Sequence, residues 1–463
     1  MQQQEEKFAL VKELDPRVDI LWVVDNSASM EPSQEKLRKG FGSFARKYMR
    51  PDWDIRTAVI TTDTYLAHPA FRPYLDKPVR ETKAYESKYL KRKFSNGVTP
   101  REMNPTIGPE YARLVPGAHD GPIPGLCFER NFYFYYGRSN CSVRDQSSAE
   151  RGIENCVNPG EGKTAEAQCV NTVNNDTVHS GKAILSSREG STDQLIRDFT
   201  INASTGAAGN FSERGMGSVL QLLADNERTE TSFFRKGSFR MIVFVADEDD
   251  QTMVLPAKPE EFDIYDQYKR RCPKKNVGGH QYKLGLCPKE ELLVPVASIK
   301  QSIDDFFAKL DGRADGAPNY VVVSIVAMEA ETIRQLQRKE KELYPRMPIP
   351  VSHDQGFRYM KLGELVGNGS LAMDVGLDDY STILEQIGHA IVERFRVFEL
   401  KRAPTQQEHM IVTIIHKDGT STVVPYDKWK IEGTKIIVTD EATVLGFKSG
   451  DRISISYQPK TVI

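Results

Sequence analysis

Between Val18 and Val24 the chain reads Val-Asp-Ile-Leu-Trp-Val-Val, a near-continuous apolar run with no alternation of polar and apolar positions. A strand that is apolar on both sides must be covered on both sides, which places it inside a parallel sheet sandwiched between helices. The sequence that follows fits this. Pro32 and Ser33 open a helix whose Leu37, Phe41, Phe44 and Tyr48 recur at spacings of 4, 3 and 4, and Pro51 closes it. A second strand then runs from Asp54 through Ile55, Ala58, Val59 and Ile60 to Asp63. Strand, helix and strand in that order normally build a parallel sheet.

The rhythm stops from about 65 to 186, where Pro, Gly, Asn and charged residues dominate around the aromatic run Phe132-Tyr-Phe-Tyr-Tyr136. So long a connection inside a compact domain is read as an insertion with a small subdomain of its own. Beyond it come helices near Ser191–Phe199 and after Glu213, the strand Met241-Ile-Val-Phe-Val-Ala246, and a second polar insertion at about 251–290. A helix with Ile299, Ile303, Phe306 and Phe307 leads to strand Tyr320–Val326. A helix near Met360–Val366, a strand Ser370–Val375 and a long helix with Ile383, Leu384, Ile387 and Ile391 complete the unit. The expected fold is α/β: a doubly wound, mostly parallel, Rossmann-like sheet over residues 17–397 with two long insertions, preceded by a tail at 1–16. From about 398 the apolar period shortens to 2, with turns such as Lys417-Asp-Gly419, so residues 398–463 are expected to form a small β-sandwich-like domain.

The 463 residues include 62 basic and 64 acidic side chains, a formal net charge of −2, which argues against a general nucleic-acid binder. No stretch approaches the ~18 apolar residues that a membrane span requires. The printed start has no basic and then apolar leader, so a secretory signal, if the protein has one, lies upstream of it. Six cysteines (Cys127, Cys141, Cys156, Cys169, Cys272 and Cys287) all fall in the two insertions, and local disulfides in an oxidising compartment are the simplest reading. Cys272 and Cys287 flank His280, but the paired Cys-x₂₋₄-Cys spacing of a structural zinc site is absent.

The chemistry concentrates where the first strand ends, in Asp25-Asn-Ser-Ala-Ser29. Ligands of such sheets gather at the carboxyl ends of the strands. Asp25, Ser27 and Ser29 offer hard oxygens at alternate positions of one turn, suited to Mg²⁺, Mn²⁺ or Ca²⁺. Two more acidic loops should reach the same rim: Asp247-Glu-Asp-Asp250 after strand Met241–Ala246, and Gly209-Asn-Phe-Ser-Glu213 before a helix. Asp-x-Ser-x-Ser after an apolar strand closely resembles the metal-ion-dependent adhesion site (MIDAS) of von Willebrand factor A (vWA) domains. The resemblance covers about 17–397 outside the insertions, with Asp247 matching the third-loop aspartate. It implies that Ser27 and Ser29 bind the ion directly, that Asp25 and Asp247 act partly through water, and that an open position takes a carboxylate from a protein partner.

Two positions depart from the family pattern. The second loop has no Thr, and Glu213 takes its place with Ser212 beside it; Glu248-Asp249-Asp250 follow the third-loop aspartate where Gly is common. Bacterial secreted or lipid-anchored members look similar at both positions. Glu248, Asp249 and Asp250 can hold a second, calcium-like ion or form a solvated turn, and Asp63 is either an outer support of the ion or a plain turn residue.

No His-Glu-x-x-His, nucleophile elbow or phosphate loop is present, so no enzymatic activity is expected. Residues 71–113 carry ten basic and five acidic side chains among Phe71, Tyr74, Tyr85, Tyr89 and Phe94, a surface on which a glycan or lipopolysaccharide phosphate could sit. The resulting expectation is a metal-dependent adhesion module of the bacterial cell envelope, secreted, periplasmic or on the outer-membrane surface. The alternative is an envelope protein whose metal only stabilises loops while the cysteine-containing insertion binds the partner. An extra charge about 4 Å away is worth roughly 4 kcal/mol per unit of partner charge at an effective dielectric near 20. Glu213→Thr is therefore expected to weaken divalent binding measured by calorimetry, and an unchanged affinity would contradict the role given to Glu213.

Overall fold

The computed structural model describes residues 8–27, 29–77, 170–171, 176–177, 182–203, 205, 210, 212–226, 233–269, 287–313, 319–343, 354–404 and 409–459. Its central sheet has six strands in the order Leu371–Asp374, Tyr320–Val326, Phe239–Val245, Arg17–Val24, Asp54–Thr61 and Ile184–Ser186. The first five are parallel, and Ile184–Ser186 closes the edge antiparallel to Asp54–Thr61. The protein is thus a mixed α/β structure built on a mixed sheet.

Residue alternation distributes the apolar run of the first strand between two cores. Val18, Ile20, Trp22 and Val24 face helices Glu31–Tyr48, Thr192–Asn202 and Ser381–Phe395. Leu21 and Val23 face helices Gly215–Asn226, Val296–Asp311 and Phe357–Val366. Leu37, Phe41, Phe44 and Tyr48, spaced as one helical face, are all buried. Each such side chain contributes about 1.5–3 kcal/mol on burial. Trp22 meets Phe199 edge-on at 5.5 Å and donates its Nε1–H to Thr57 Oγ1 at 2.9 Å, so its polar atom is satisfied inside the core.

The C-terminal region forms two antiparallel sheets, as the period-2 pattern predicts. One holds Phe8–Glu13, Arg452–Tyr457, Ile411–Ile415 and Ser421–Val423; the other holds Val397–Glu399, Lys435–Val438 and Trp429–Glu432. The strand Phe8–Glu13 corrects the reading of residues 1–16 as a tail, since it pairs along its whole length with Arg452–Tyr457. Phe398, Val412, Ile453 and Ile455 join the same buried cluster as Trp22 and Phe41, so this region braces one face of the α/β unit.

Parts of both insertions pack on each other. Tyr65, Leu66, Phe71 and Leu75 meet Met253, Phe262, Ile264 and Tyr268 in a third, smaller core. Phe71, one of the aromatics of the basic stretch that could meet a glycan, is therefore a packing residue; Tyr85, Tyr89 and Phe94 lie outside the described residues. Cys127, Cys141, Cys156, Cys169 and Cys272 also lie outside them. Among the described residues Cys287 is buried with a free thiol, which corrects the disulfide expected of it, and its Sγ lies 3.8 Å from the Lys269 carbonyl oxygen.

At the amino rim of the sheet, buried charges meet in pairs. Asp19 accepts from Arg235 Nε at 2.7 Å and from Ser238 Oγ at 2.6 Å, and Arg240 lies 2.6 Å from Asp311. Burial opposes the charged form of Asp311, but hydrogen bonds from Arg240, the Gly237 N–H and Arg313 outweigh it and hold this carboxyl well below the ordinary carboxylate range. A depressed folded pKa stabilises the protein fully above the unfolded value near 4 and less as pH falls through the folded one. Asp311→Asn leaves Arg240 without its anion, and a loss of about 3–5 kcal/mol is expected in denaturant unfolding at pH 7. The gap between variant and wild type should narrow below about pH 4; a gap that is small at pH 7 or independent of pH would contradict this account.

Candidate metal centre

The carboxyl ends of the parallel strands deliver the acidic loops to one place. The Asp25 N–H donates to the Val245 carbonyl at 2.9 Å, the Thr62 N–H to Val24 at 3.3 Å and the Ala246 N–H to Ile325 at 3.1 Å, so the loops start from fixed points. One carboxylate oxygen from each of Asp25, Glu213 and Asp247 lies within 4.8 Å of the other two. The three residues are 0%, 1% and 1% exposed. Ser27 and Ser29 are buried in the same turn, with their hydroxyl oxygens 3.2 Å apart.

Each loop is held by its own bonds. The Ser27 N–H donates to Asp25 Oδ1 at 2.7 Å, and Gln34 Nε2, from the first turn of the next helix, donates to the Asp25 carbonyl at 2.9 Å. The Gln251 N–H donates to the Glu213 carbonyl at 2.8 Å, and the Asp354 N–H to the Asp247 carbonyl at 2.9 Å. Thr62 Oγ1 lies 3.5 Å from Asp25 Oδ1 and 3.3 Å from Asn26 Oδ1. Thr62 is the threonine beside the acidic cluster, and it comes from the end of strand Asp54–Thr61. The Thr-Thr-Asp sequence there was legible, but not its approach to Asp25.

The neighbouring candidates have other work. Ser212 Oγ accepts from Arg214 Nε at 2.9 Å and lies 2.5 Å from Tyr268 Oη, on the side of the small core. Asp63 Oδ2 accepts from the Asn210 N–H at 2.7 Å, tying the strand end to the loop that carries Glu213. Asp250 caps helix Gly215–Asn226, accepting from the Met216 N–H at 2.9 Å and from Thr252 Oγ1 at 2.9 Å, while Arg358 Nε lies 3.4 Å away. Asp249, half-buried, accepts from the Arg358 N–H at 2.8 Å, yet burial raises its pKa well above the usual carboxylate value. Glu248 is buried beside them.

Two residues that the sequence did not single out close the inner wall. The Tyr359 hydroxyl is buried and finds no acceptor among the described residues. Burial lifts its pKa well above the ordinary value, and the charges of Asp250, Asp25 and Glu213 push the same way, so it remains a neutral donor. Gly215 lies against it: a Cβ there would fall 2.4 Å from the Tyr359 hydroxyl. Only a residue without a side chain lets the helix start this close to the tyrosine.

Three carboxylates and two hydroxyls form an all-oxygen donor set. Hard divalent cations take such sets, while soft metals prefer sulfur or imidazole, so the residues present fit Mg²⁺, Mn²⁺ or Ca²⁺.

No family model matches the chain, and no curated protein matches it. Among solved structures it is similar to the pilus adhesin SpaC from Lactobacillus rhamnosus GG. One structure of that adhesin gives 11% identity and a TM-score of 0.31, covering 98% of this chain and 42% of that chain. Its open conformation gives 11% and 0.32, covering 98% and 41%. The chain therefore spans less than half the length of the adhesin, and so loose a superposition carries no weight for function.

Gly215→Ala is expected to cost about 1–3 kcal/mol in denaturant unfolding, although alanine is the better helix former. Adding Tyr359→Phe should recover part of that loss by removing the clashing oxygen. A Gly215→Ala protein as stable as wild type would contradict the close packing described.

Proposed function

We propose that the chain is a metal-dependent binding module of the bacterial cell envelope, holding a divalent cation in the manner of a vWA domain. Asp25, Ser27, Ser29, Glu213 and Asp247 would hold the ion, with Mg²⁺ first and Mn²⁺ or Ca²⁺ as alternatives. The observation that carries this reading is the convergence of Asp25, Glu213 and Asp247 from three separate loops. With these oxygens within 4.8 Å of one another, each pair of carboxylates, if charged, repels by roughly 3 kcal/mol or more at an effective dielectric near 20. A bound cation removes that penalty and supplies one further thing, a Lewis-acidic position for an oxygen ligand. This chain's residues do the rest: Gln34 and the strand ends fix the Asp25 loop, and Asp250 fixes the start of the helix after Glu213.

The partner is a protein offering an acidic side chain, and the role is adhesion or assembly without catalysis. No helix among the described residues is long and apolar enough to cross a membrane, and the location proposed is secreted, periplasmic or on the outer-membrane surface. The burial of all three carboxylates favours a second reading, in which the ion staples the loops and another surface engages the partner.

Chelation and readdition separate the two readings. An ion at 100 times its Kd stabilises by about 2.7 kcal/mol, so Mg²⁺ should raise the melting temperature of EDTA-treated protein. Asp25→Ala should abolish the rise. In pull-downs from envelope extract, loss of the captured partner in EDTA at low temperature supports a metal-bridged contact, and retention supports the staple. No thermal shift with saturating Mg²⁺, Mn²⁺ or Ca²⁺ would contradict both.

A further inference from the structure

In the C-terminal sheet, far along the chain from the acidic loops, a hydroxyl, an imidazole and a carboxylate stand in series. His416 directly follows strand Ile411–Ile415, Thr422 lies in the edge strand Ser421–Val423, and Asp451 directly precedes strand Arg452–Tyr457. Register brings them together, since Thr422 pairs with Ile414 and Arg452 with Ile415, which sets Asp451 beside His416. Thr422 Oγ1 lies 2.9 Å from His416 Nε2, and His416 Nδ1 lies 3.0 Å from Asp451 Oδ2. Asp451 is 2% exposed and held in place: its Oδ1 accepts from the Lys417 N–H at 3.2 Å and its carbonyl from the Leu14 N–H at 2.7 Å.

An ionised carboxylate accepts and cannot donate, so Nδ1 carries the imidazole proton and Nε2 is left to accept from the Thr422 hydroxyl. In that order the three groups form the arrangement by which a base activates an oxygen nucleophile. The free edge of the sheet adds a donor. The His416 N–H bonds the Thr420 carbonyl and the Val424 N–H the Val412 carbonyl, each at 2.8 Å. The alternation of an antiparallel ladder therefore turns the N–H groups of Ser421 and Val423 away from the sheet. That of Val423, next in the chain to Thr422, is left for an oxyanion. Thr422 is exposed and His416 half-buried, so a small reagent reaches both without any opening of the fold.

We propose that Thr422 is an acylation site, whose hydroxyl takes a small acyl group from an activated ester with His416 as the base. Oγ1 bonds to the ester carbonyl carbon while Nε2 takes the hydroxyl proton. The ester C–O bond then breaks, and the leaving oxygen departs with the electron pair and receives that proton from His416. The product is an O-acyl threonine. This site does not depend on the metal centre.

The test uses the full chain and p-nitrophenyl acetate. Release of p-nitrophenolate is followed, and acid-quenched samples are mapped by peptide mass spectrometry with fragmentation that separates Thr422 from Thr420 and Ser421. An acetyl group on Thr422 is expected, formed at a rate that climbs from about pH 5 to 8, where histidine gives up its proton. His416→Gln should slow it by about 100-fold or more and flatten the pH profile. Thr422→Ala should abolish it, and Thr422→Ser, which keeps the hydroxyl, should restore it. Hydrogen bonds that serve only to hold the hairpin would leave Thr422 no more acetylated than Ser421. That result in wild type, or an undiminished rate at Thr422 in His416→Gln, overturns the proposal.

Discussion

Mutual repulsion among three buried carboxylates is the constraint around which the carboxyl rim of the sheet is arranged. Asp25, Glu213 and Asp247 reach the same small volume because each follows or precedes an element whose position the two cores fix. The strand ends fix Asp25 and Asp247, and the capped helix start fixes Glu213. Like charges at such separations need a surrounding structure that overrides their repulsion together with a proton or a cation that offsets it, and a cation is the reading proposed above.

The two rims of the sheet handle charge in opposite ways. At the amino rim, Asp19 with Arg235 and Asp311 with Arg240 are joined as pairs that complete the fold. At the carboxyl rim, acids are gathered together and the buried Arg214 is turned towards Ser212, Gln267 and Tyr65. The small core of Tyr65, Phe71, Phe262 and Tyr268 does more than fill the insertions, because its Tyr65 and Phe71 rings pack against the Arg214 guanidinium.

Much of this was legible in the sequence, for physical reasons. An apolar run covered on both faces can hardly be anything but an inner strand, so the sheet and the placement of Asp25 and Asp247 followed from Val18–Val24 and Met241–Ala246. The Asp-x-Ser-x-Ser turn and the glutamate before a helix drew attention to the loops that the structure brings together. Contacts that depend on distant partners were not legible. Phe8–Glu13 pairs with Arg452–Tyr457 at the other end of the chain, and nothing local in Phe-Ala-Leu-Val-Lys-Glu announces it. Thr62, Tyr359 and Arg214 acquire their roles only through tertiary packing, and Phe71 looked like a surface aromatic because its partners come from the second insertion.

The central claim is that one hard cation occupies the space between these three carboxylates. Anomalous-difference diffraction from crystals grown with Mn²⁺ reads it directly. The account predicts a single strong peak within about 2.0–2.6 Å of oxygens from Glu213 and the Asp25–Ser29 turn, with Asp247 close by. Well-ordered loops with no peak there at saturating Mn²⁺, or a peak bound elsewhere, would contradict it.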